Sequence, residues 1–293
     1  MRSALMPPSL RARLGPIIGE IRTAHPVGGG DVSRAARVEG TEATVFAKWR
    51  DGGAMFEDEA EGLRALTEAA GPNVVVPQPL LAANATETRP GLLVLPWLDR
   101  GRPSRTDWHR FGAALAALHR TQTSGEGYGW PHDNWIGSKP QRNGWSEAWP
   151  AFFGQRRLQA QADTVRAHGA WRAEWDALLD RLVSRLGEIL PETPPRSLLH
   201  GDLWAGNALP LSDGRFALLD PAVSVGHREA DLAMTELFGG FDAAFYEGYR
   251  EVWPLEPGYP ERRTIYNLFH LTNHLTHGPG YAASVERVLR AFG

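Results

Sequence analysis

The sequence contains no cysteine, which excludes disulfides, thiolate metal sites and a cysteine nucleophile at once. It is almost without lysine: of 31 basic residues only Lys48 and Lys139 are not arginine. A compact ammonium and a planar guanidinium are not interchangeable, so each of these lysines asks for a reason. There is little excess charge of either sign. A net charge of −3 over 293 residues gives no footprint for nucleic acid or for an anionic membrane. No apolar run approaches the roughly 20 residues that span a bilayer. Pro7, Pro8, Arg11 and Arg13 break the apolar stretches near the start, so no signal-peptide core is visible. The default expectation is a cytoplasmic protein. Repeats, low-complexity tails and long linkers are also missing.

What is present is an ordinary globular composition, 42% apolar and 22% charged, and enough chain for two lobes around a shared cleft. Residues 7–22 read as a short amphipathic helix. A glycine-rich turn, His25 to Asp31, precedes two strand-like runs, Ala35–Glu39 and Thr44–Trp49, with Lys48 near the end of the second. A helix over Ala54–Ala70 carries Phe56, Ala60, Leu63 and Leu66 on one face and Glu57, Glu61, Arg64 and Glu68 on the other. Glu59 falls on the apolar side. A buried unpaired carboxylate is costly, so Glu59 requires a cation, and Lys48 on the preceding strand is the candidate. Val74–Leu81 and Leu92–Leu95 read as further strands. A helix over Thr106–Arg120 follows, then mainly helical patterns to the end. The fold class expected is α+β in two lobes: residues 1–98 with a small antiparallel sheet, and residues 99–293, larger and mainly helical.

The strongest chemical signal is Leu198-Leu-His-Gly-Asp-Leu-Trp-Ala-Gly-Asn207, which fits the kinase catalytic-loop spacing His-x-Asp-x-x-x-x-Asn at His200, Asp202 and Asn207. Ala208–Leu211 and Arg215–Leu219 flank the tight-turn sequence Ser212-Asp213-Gly214, and this hairpin returns Asp220 toward Asn207. Phosphoryl transfer asks a protein for positioning and charge neutralisation. One carboxylate, Asp202, takes the proton of the attacking hydroxyl. Asn207 and Asp220 supply the oxygen donors that magnesium prefers. Lys48, oriented by Glu59, matches the strand lysine that grips ATP phosphates in kinases. Gly28, Gly29, Gly30 and Asp31 can form a backbone cover over those phosphates. They are not a Walker loop, since no Gly-Lys-Ser/Thr follows.

The whole set resembles the fructosamine kinase (ketosamine 3-kinase) family. The catalytic run His200–Asn207 carries the resemblance with Asp220-Pro-Ala, Gly226–Phe241, Asn273-His-Leu, Gly29-Gly-Asp31, Met55–Leu63, His132-Asp-Asn-Trp-Ile-Gly137 and Asn143-Gly-Trp145 before Phe152-Phe153. The match runs from about residue 25 to 281. The resemblance implies a protein-kinase-like fold, ATP and Mg²⁺ as cofactors, and phosphorylation of the sugar 3-hydroxyl of ketoamines, free or on glycated lysine side chains. It also implies deglycation, because the 3-phosphate is unstable and releases the amine. By match, Pro96, Trp97 and Leu98 form an adenine-contacting hinge. Pro96 departs from the acidic residue usual there, but its carbonyl can still accept from an adenine amino group. The helix ending His274-Leu-Thr-His277-Gly lacks the usual phenylalanine before that glycine.

Asp133, Asn134, Trp204, His227, Arg228 and His274 are substrate candidates. Of Trp130, Trp135, Trp145 and Trp149, at least two read as core. Asp231 reads as a brace for the catalytic loop. His270, His274 and His277 share helical spacing, but no accompanying carboxylate marks a metal site. Three other readings compete: a kinase of an aminoglycoside or amino alcohol on the same fold, a non-catalytic nucleotide-binding protein, and a metal-dependent hydrolase built on the histidines. Lys48, Asp202 and Asp220, all present, argue against the second. The sequence does not select the sugar or the oligomeric state.

Overall fold

A computed structural model describes residues 6–28, 33–53, 55–123 and 126–293. The chain opens with helix α1 (Pro8–Ile18), with proline at the first position, where its missing N–H is no loss. The helix ends four residues before the sequence pattern suggests. Gly19 takes φ 72°, and a side chain there would sit 2.1 Å from the Thr41 hydroxyl. Left-handed backbone of this kind stops a helix and favours glycine. The chain turns instead into β1 (Ile21–Pro26), a strand that the sequence reading passes over.

Strands β2 (Arg34–Gly40) and β3 (Thr44–Arg50) follow, then helix α2 (Phe56–Ala69) and the two-residue strand β4 (Val74–Val75). Strands β5 (Leu81–Ala83) and β6 (Gly91–Pro96) complete an antiparallel sheet in the order β1-β2-β3-β6-β5. The run read as one strand over Val74–Leu81 is therefore two pieces, since Pro77 and Pro79 cannot donate to a ladder. Val74 and Val75 leave this sheet and pair in parallel with Phe216 and Ala217 far along the chain.

Alternation decides where each side chain of the sheet goes. Val45, Ala47 and Trp49 of β3 and Leu92 and Val94 of β6 pack under Leu10, Leu14 and Ile18 of α1. Leu93 and Leu95 face the other way, onto Phe56, Ala60, Leu63 and Leu66 of α2. Both faces of β6 are covered, which is why it reads as an unbroken apolar run. The same alternation turns Lys48 away from α1 and toward α2.

The larger lobe begins with α3 (Arg105–Arg120), opened by a capping box between Ser104 and Asp107. A hairpin, β7 (Asn134–Ile136) and β8 (Lys139–Gln141), precedes α4 (Trp149–Phe152), a π-helical stretch Phe153–Gln159, α5 (Ala160–Ala167) and α6 (Asp176–Ile189). The second lysine, Lys139, is buried in β8. Strand β9 (Arg196–Leu199) leads into the catalytic-loop sequence. The hairpin β10 (Ala208–Pro210) and β11 (Phe216–Leu218) follows, with β12 (Ser224–His227) pairing back on β9. Helices α7 (Glu229–Leu237), α8 (Ala243–Val252), α9 (Tyr259–His274) and α10 (Ala282–Phe292) close the lobe. Among the described residues no helix is long and apolar enough to cross a membrane.

Helices α3 and α8 meet through glycine. A Cβ on Gly112 would lie 1.8 Å from the Phe245 carbonyl oxygen, and one on Gly248 2.0 Å from that of His109. Mid-helix Gly→Ala usually stabilises by about 1 kcal/mol, but here overpacking against rigid backbone, typically about 1–3 kcal/mol and at times more, dominates. Gly112→Ala is therefore expected to lower the denaturant midpoint of the wild-type protein. A midpoint at or above wild type would contradict this packing.

Candidate active site

The segment from His200 to Asn207 is held by buried groups of α3 and α7. The Asp231 carboxylate accepts the backbone N–H of His200 (2.7 Å) and of Gly201 (2.9 Å). It also accepts from His119 Nε2 at 3.2 Å, while His119 Nδ1 accepts from the Tyr249 hydroxyl at 2.8 Å. Burial on its own would raise the Asp231 carboxyl, but the His119 and loop N–H bonds hold it below the ordinary carboxylate range.

His200 then joins this loop to the one carrying Asp220. Its Nε2–H donates to the Leu219 carbonyl (2.9 Å), which leaves Nδ1 to accept the Asp202 N–H (3.2 Å). Burial keeps the ring neutral, as this pairing needs. Backbone bonds from Ala222 to His200 (2.8 Å) and from Leu219 to Asn207 (2.9 Å) complete the seam. At Gly201, φ 82°, a Cβ would fall 2.0 Å from the Ala222 carbonyl oxygen, so the approach admits only glycine.

Three proposed chemical groups thereby converge. Asn207 Nδ2 donates to the Asp202 carbonyl (2.8 Å) and to Asp202 Oδ2 (3.2 Å), using the amide nitrogen and leaving the amide oxygen out of both bonds. The Asp202 carboxyl is pushed up to about 7, by burial first and then by the charge of Asp220. Asp220 sits at φ 53°, in the left-handed region, alone among the described non-glycine residues. Backbone strain of this kind persists where the surroundings enforce it, often at functional sites.

Lys48 reaches this cluster from the sheet. Its Nζ lies 3.1 and 3.0 Å from the two Glu59 oxygens and 3.0 Å from Asp220 Oδ1. Burial would pull the ammonium down, but Asp220 and Glu59 together raise it, so it stays charged. Glu59 is buried on α2 and is raised by burial and by the neighbouring Asp220 charge. The oxygens of Asp220 and Asn207 are the hard donors that fit a divalent cation such as magnesium.

The remaining sequence candidates divide. Gly28 is described, while Gly29, Gly30 and Asp31 lie outside the described residues. Pro96 ends β6 opposite Val45. The Trp97 N–H donates to the Thr44 carbonyl at 3.3 Å, its indole to Asp99 at 3.1 Å, and Arg37 lies over the ring. Leu98, half-buried, follows directly. Trp204 is 37% exposed beside Asp202. His274 donates from its ring to the His270 carbonyl and packs against Phe238 and Tyr281, 5.1 and 5.0 Å between centroids. Gly240, two residues after Phe238, presses on Ala205, so this aromatic group borders the loop that carries Trp204.

Three substrate expectations are corrected. Asn134 is buried: it donates to the Val223 carbonyl and accepts from Gln141 and Asn143, which spends it on holding the Asp220 segment. His227 is buried, with Nδ1 accepting from the Tyr266 hydroxyl at 2.8 Å. Its pKa is lowered to about 3, by burial and then by the charges of Arg228 and Arg262. Arg228 turns inward too, donating to the Trp253 and Pro254 carbonyls and stacking 4.2 Å over Trp253. Asp133 is partly exposed but already accepts from Arg142 and from the Asn143 N–H.

Trp149 is core, as is its partner Tyr266, to whose hydroxyl it donates at 3.0 Å. The three histidines do not converge on a metal: His277 leaves the helix in a 3₁₀ turn, and no group of ligand atoms includes them among the described residues. His119 is the functional-site residue that the sequence reading missed. The signal was there, since it falls on the apolar stripe of α3 with Phe111 and Leu115.

The family model for fructosamine kinase matches residues 12–292. A probable ketoamine kinase from Synechocystis sp. is 39% identical over 277 residues, covering 92% of this chain and 90% of that protein. A chloroplastic protein-ribulosamine 3-kinase from Arabidopsis thaliana is 34% identical over 276 residues, covering 92% and 82%. A Thermobifida fusca structure provisionally assigned as a fructosamine-3-kinase superposes with a TM-score of 0.83 at 29% identity, covering 97% and 98%. An aminoglycoside phosphotransferase solved with AMP-PNP and hygromycin B shares the fold alone, with a TM-score of 0.62 at 18% identity over 97% and 98%. The chain belongs to the fructosamine kinase family, kinases of protein-kinase-like fold that transfer phosphate to a hydroxyl group.

Proposed function

We propose that this protein is an ATP- and magnesium-dependent ketosamine 3-kinase, acting on the sugar 3-hydroxyl of ketoamine adducts of amines and so serving deglycation. The observation that carries this reading is the convergence of Lys48, Asp202, Asn207 and Asp220 on one point, in a chain of this family.

In this reading Lys48, held by Glu59, binds the α- and β-phosphates. The Pro96 carbonyl accepts from the adenine amino group, beside Trp97 and Leu98. Asn207 and Asp220 would hold magnesium, which neutralises charge on the phosphates when bound. Asp202 orients the sugar hydroxyl and accepts its proton as the oxygen attacks the γ-phosphorus and the bond to the bridging β–γ oxygen breaks, releasing ADP. Its raised carboxyl is a stronger base than an exposed aspartate. Trp204 and His274 line the acceptor side, where an aromatic face stacks on an apolar sugar face. The relatives named for ketoamine and ribulosamine support this substrate class over an aminoglycoside, for which only the fold speaks.

Asp202→Asn is expected to lower turnover about 10²–10⁴-fold, the usual contribution of a general base, while ATP binding persists. ADP release with ATP and magnesium checks this, comparing fructosyl-lysine and ribulosyl-lysine with an aminoglycoside and choline. Release on the ketoamines alone is the expected result. Release only on the other acceptors would overturn the substrate, and near-normal turnover of the variant would overturn the base.

Asp231→Ala leaves two buried loop N–H groups and His119 without their partner. Each such orphan costs about 1–3 kcal/mol, so the denaturation midpoint and turnover should both fall. Unchanged turnover in a destabilised variant would show that Asp231 supports the fold but not the geometry of the loop.

A further inference from the structure

A second cluster of ligating groups lies outside the phosphotransfer centre, where α2 meets the loop before β7. Asp58 and Glu61 stand one helical turn apart on α2, and His132 faces them from the larger lobe. One donor atom from each residue lies within 4.8 Å of the other two. His132 Nε2 is 3.0 Å from Glu61 Oε2. The other Glu61 oxygen accepts the Trp130 indole N–H at 3.1 Å, and Asp58 accepts a hydrogen bond from Trp135. The two indoles thus orient the carboxylates from outside, as supporting partners do around bound ions.

The charge is unbalanced. Among the described residues neither carboxylate forms an ion pair with an arginine or lysine, in a chain otherwise rich in arginine pairs. Burial and then the charge of Glu61 raise the Asp58 carboxyl, with His132 opposing. We propose that Asp58, Glu61 and His132 bind a divalent transition-metal ion of the zinc class, with water completing the shell. The donor set distinguishes it from the centre at Asn207 and Asp220: an imidazole nitrogen with two carboxylates suits zinc, whereas an all-oxygen set suits magnesium. Metal–ligand bonds of about 2 Å require the three side chains to close in by roughly an ångström, within reach of rotamer adjustment at a partly exposed site. The site bridges the two lobes. It fixes α2, which carries Glu59, against the larger lobe, so an occupied site steadies the Lys48–Glu59 pair.

The test is zinc binding to the full chain by calorimetry, with thermal midpoints recorded alongside, for the wild type, His132→Gln and Asp58→Asn. Each substitution is conservative and at least partly exposed, so failure of one to fold leaves the other. The proposal predicts one zinc equivalent that raises the wild-type midpoint. Its affinity should drop about a hundredfold in either variant, in line with loss of a metal ligand or its support. No zinc uptake, or uptake that both variants retain because the ion sits at Asn207 and Asp220, would overturn it.

Discussion

The Asp231 carboxylate and the His200 imidazole together hold two otherwise independent loops in one geometry. Asp231 accepts the first two N–H groups of the catalytic-loop segment, and His200 hands that segment on to the Leu219 carbonyl. Neither group is placed to touch a substrate. Yet the positions of Asp202, Asn207 and Asp220 follow from them, because a buried, fully bonded network has one arrangement. The cost of leaving such groups unpaired is what makes the arrangement stiff. Gly201, where no Cβ fits, is the steric counterpart of the same constraint.

The smaller lobe contributes a single ammonium to this frame. Alternation along β3 turns Val45, Ala47 and Trp49 into the α1 layer and leaves Lys48 facing α2. Glu59 meets it from a helix whose other inward residues are apolar. In a chain whose basic side chains are otherwise arginine apart from Lys139, a lysine here is intelligible: a compact charge can sit between two carboxylates where a broad guanidinium fork would not. The proposed magnesium would compete with Lys48 for Asp220, so the ion pair describes the cluster before nucleotide enters.

Much of this was legible in the sequence because local rules and chemistry pointed the same way. The His200–Asn207 spacing, the Asp213-Gly214 turn and the side of α2 that Glu59 occupies each carry a physical reason at short range. The expectations that the structure corrects depend on long-range packing. Nothing local shows that Val74 and Val75 pair with β11 rather than with the neighbouring strands. Nothing local shows that Asn134, His227 and Arg228 spend their polar groups inside the larger lobe. Polar residues in a recognisable motif invite a ligand-facing reading, and here several of them hold the scaffold instead. The end of α1 at Gly19 belongs to the same class, since the turn answers Thr41, distant in sequence.

In the proposed mechanism Asp220, poised by this frame beside Lys48, carries the metal that binds with ATP. This role is tested most directly by the ATP dissociation constant with and without magnesium, in the wild type and in Asp220→Asn. Magnesium is expected to tighten ATP binding in the wild type and no longer to do so in the variant. An equal tightening in both proteins would contradict it.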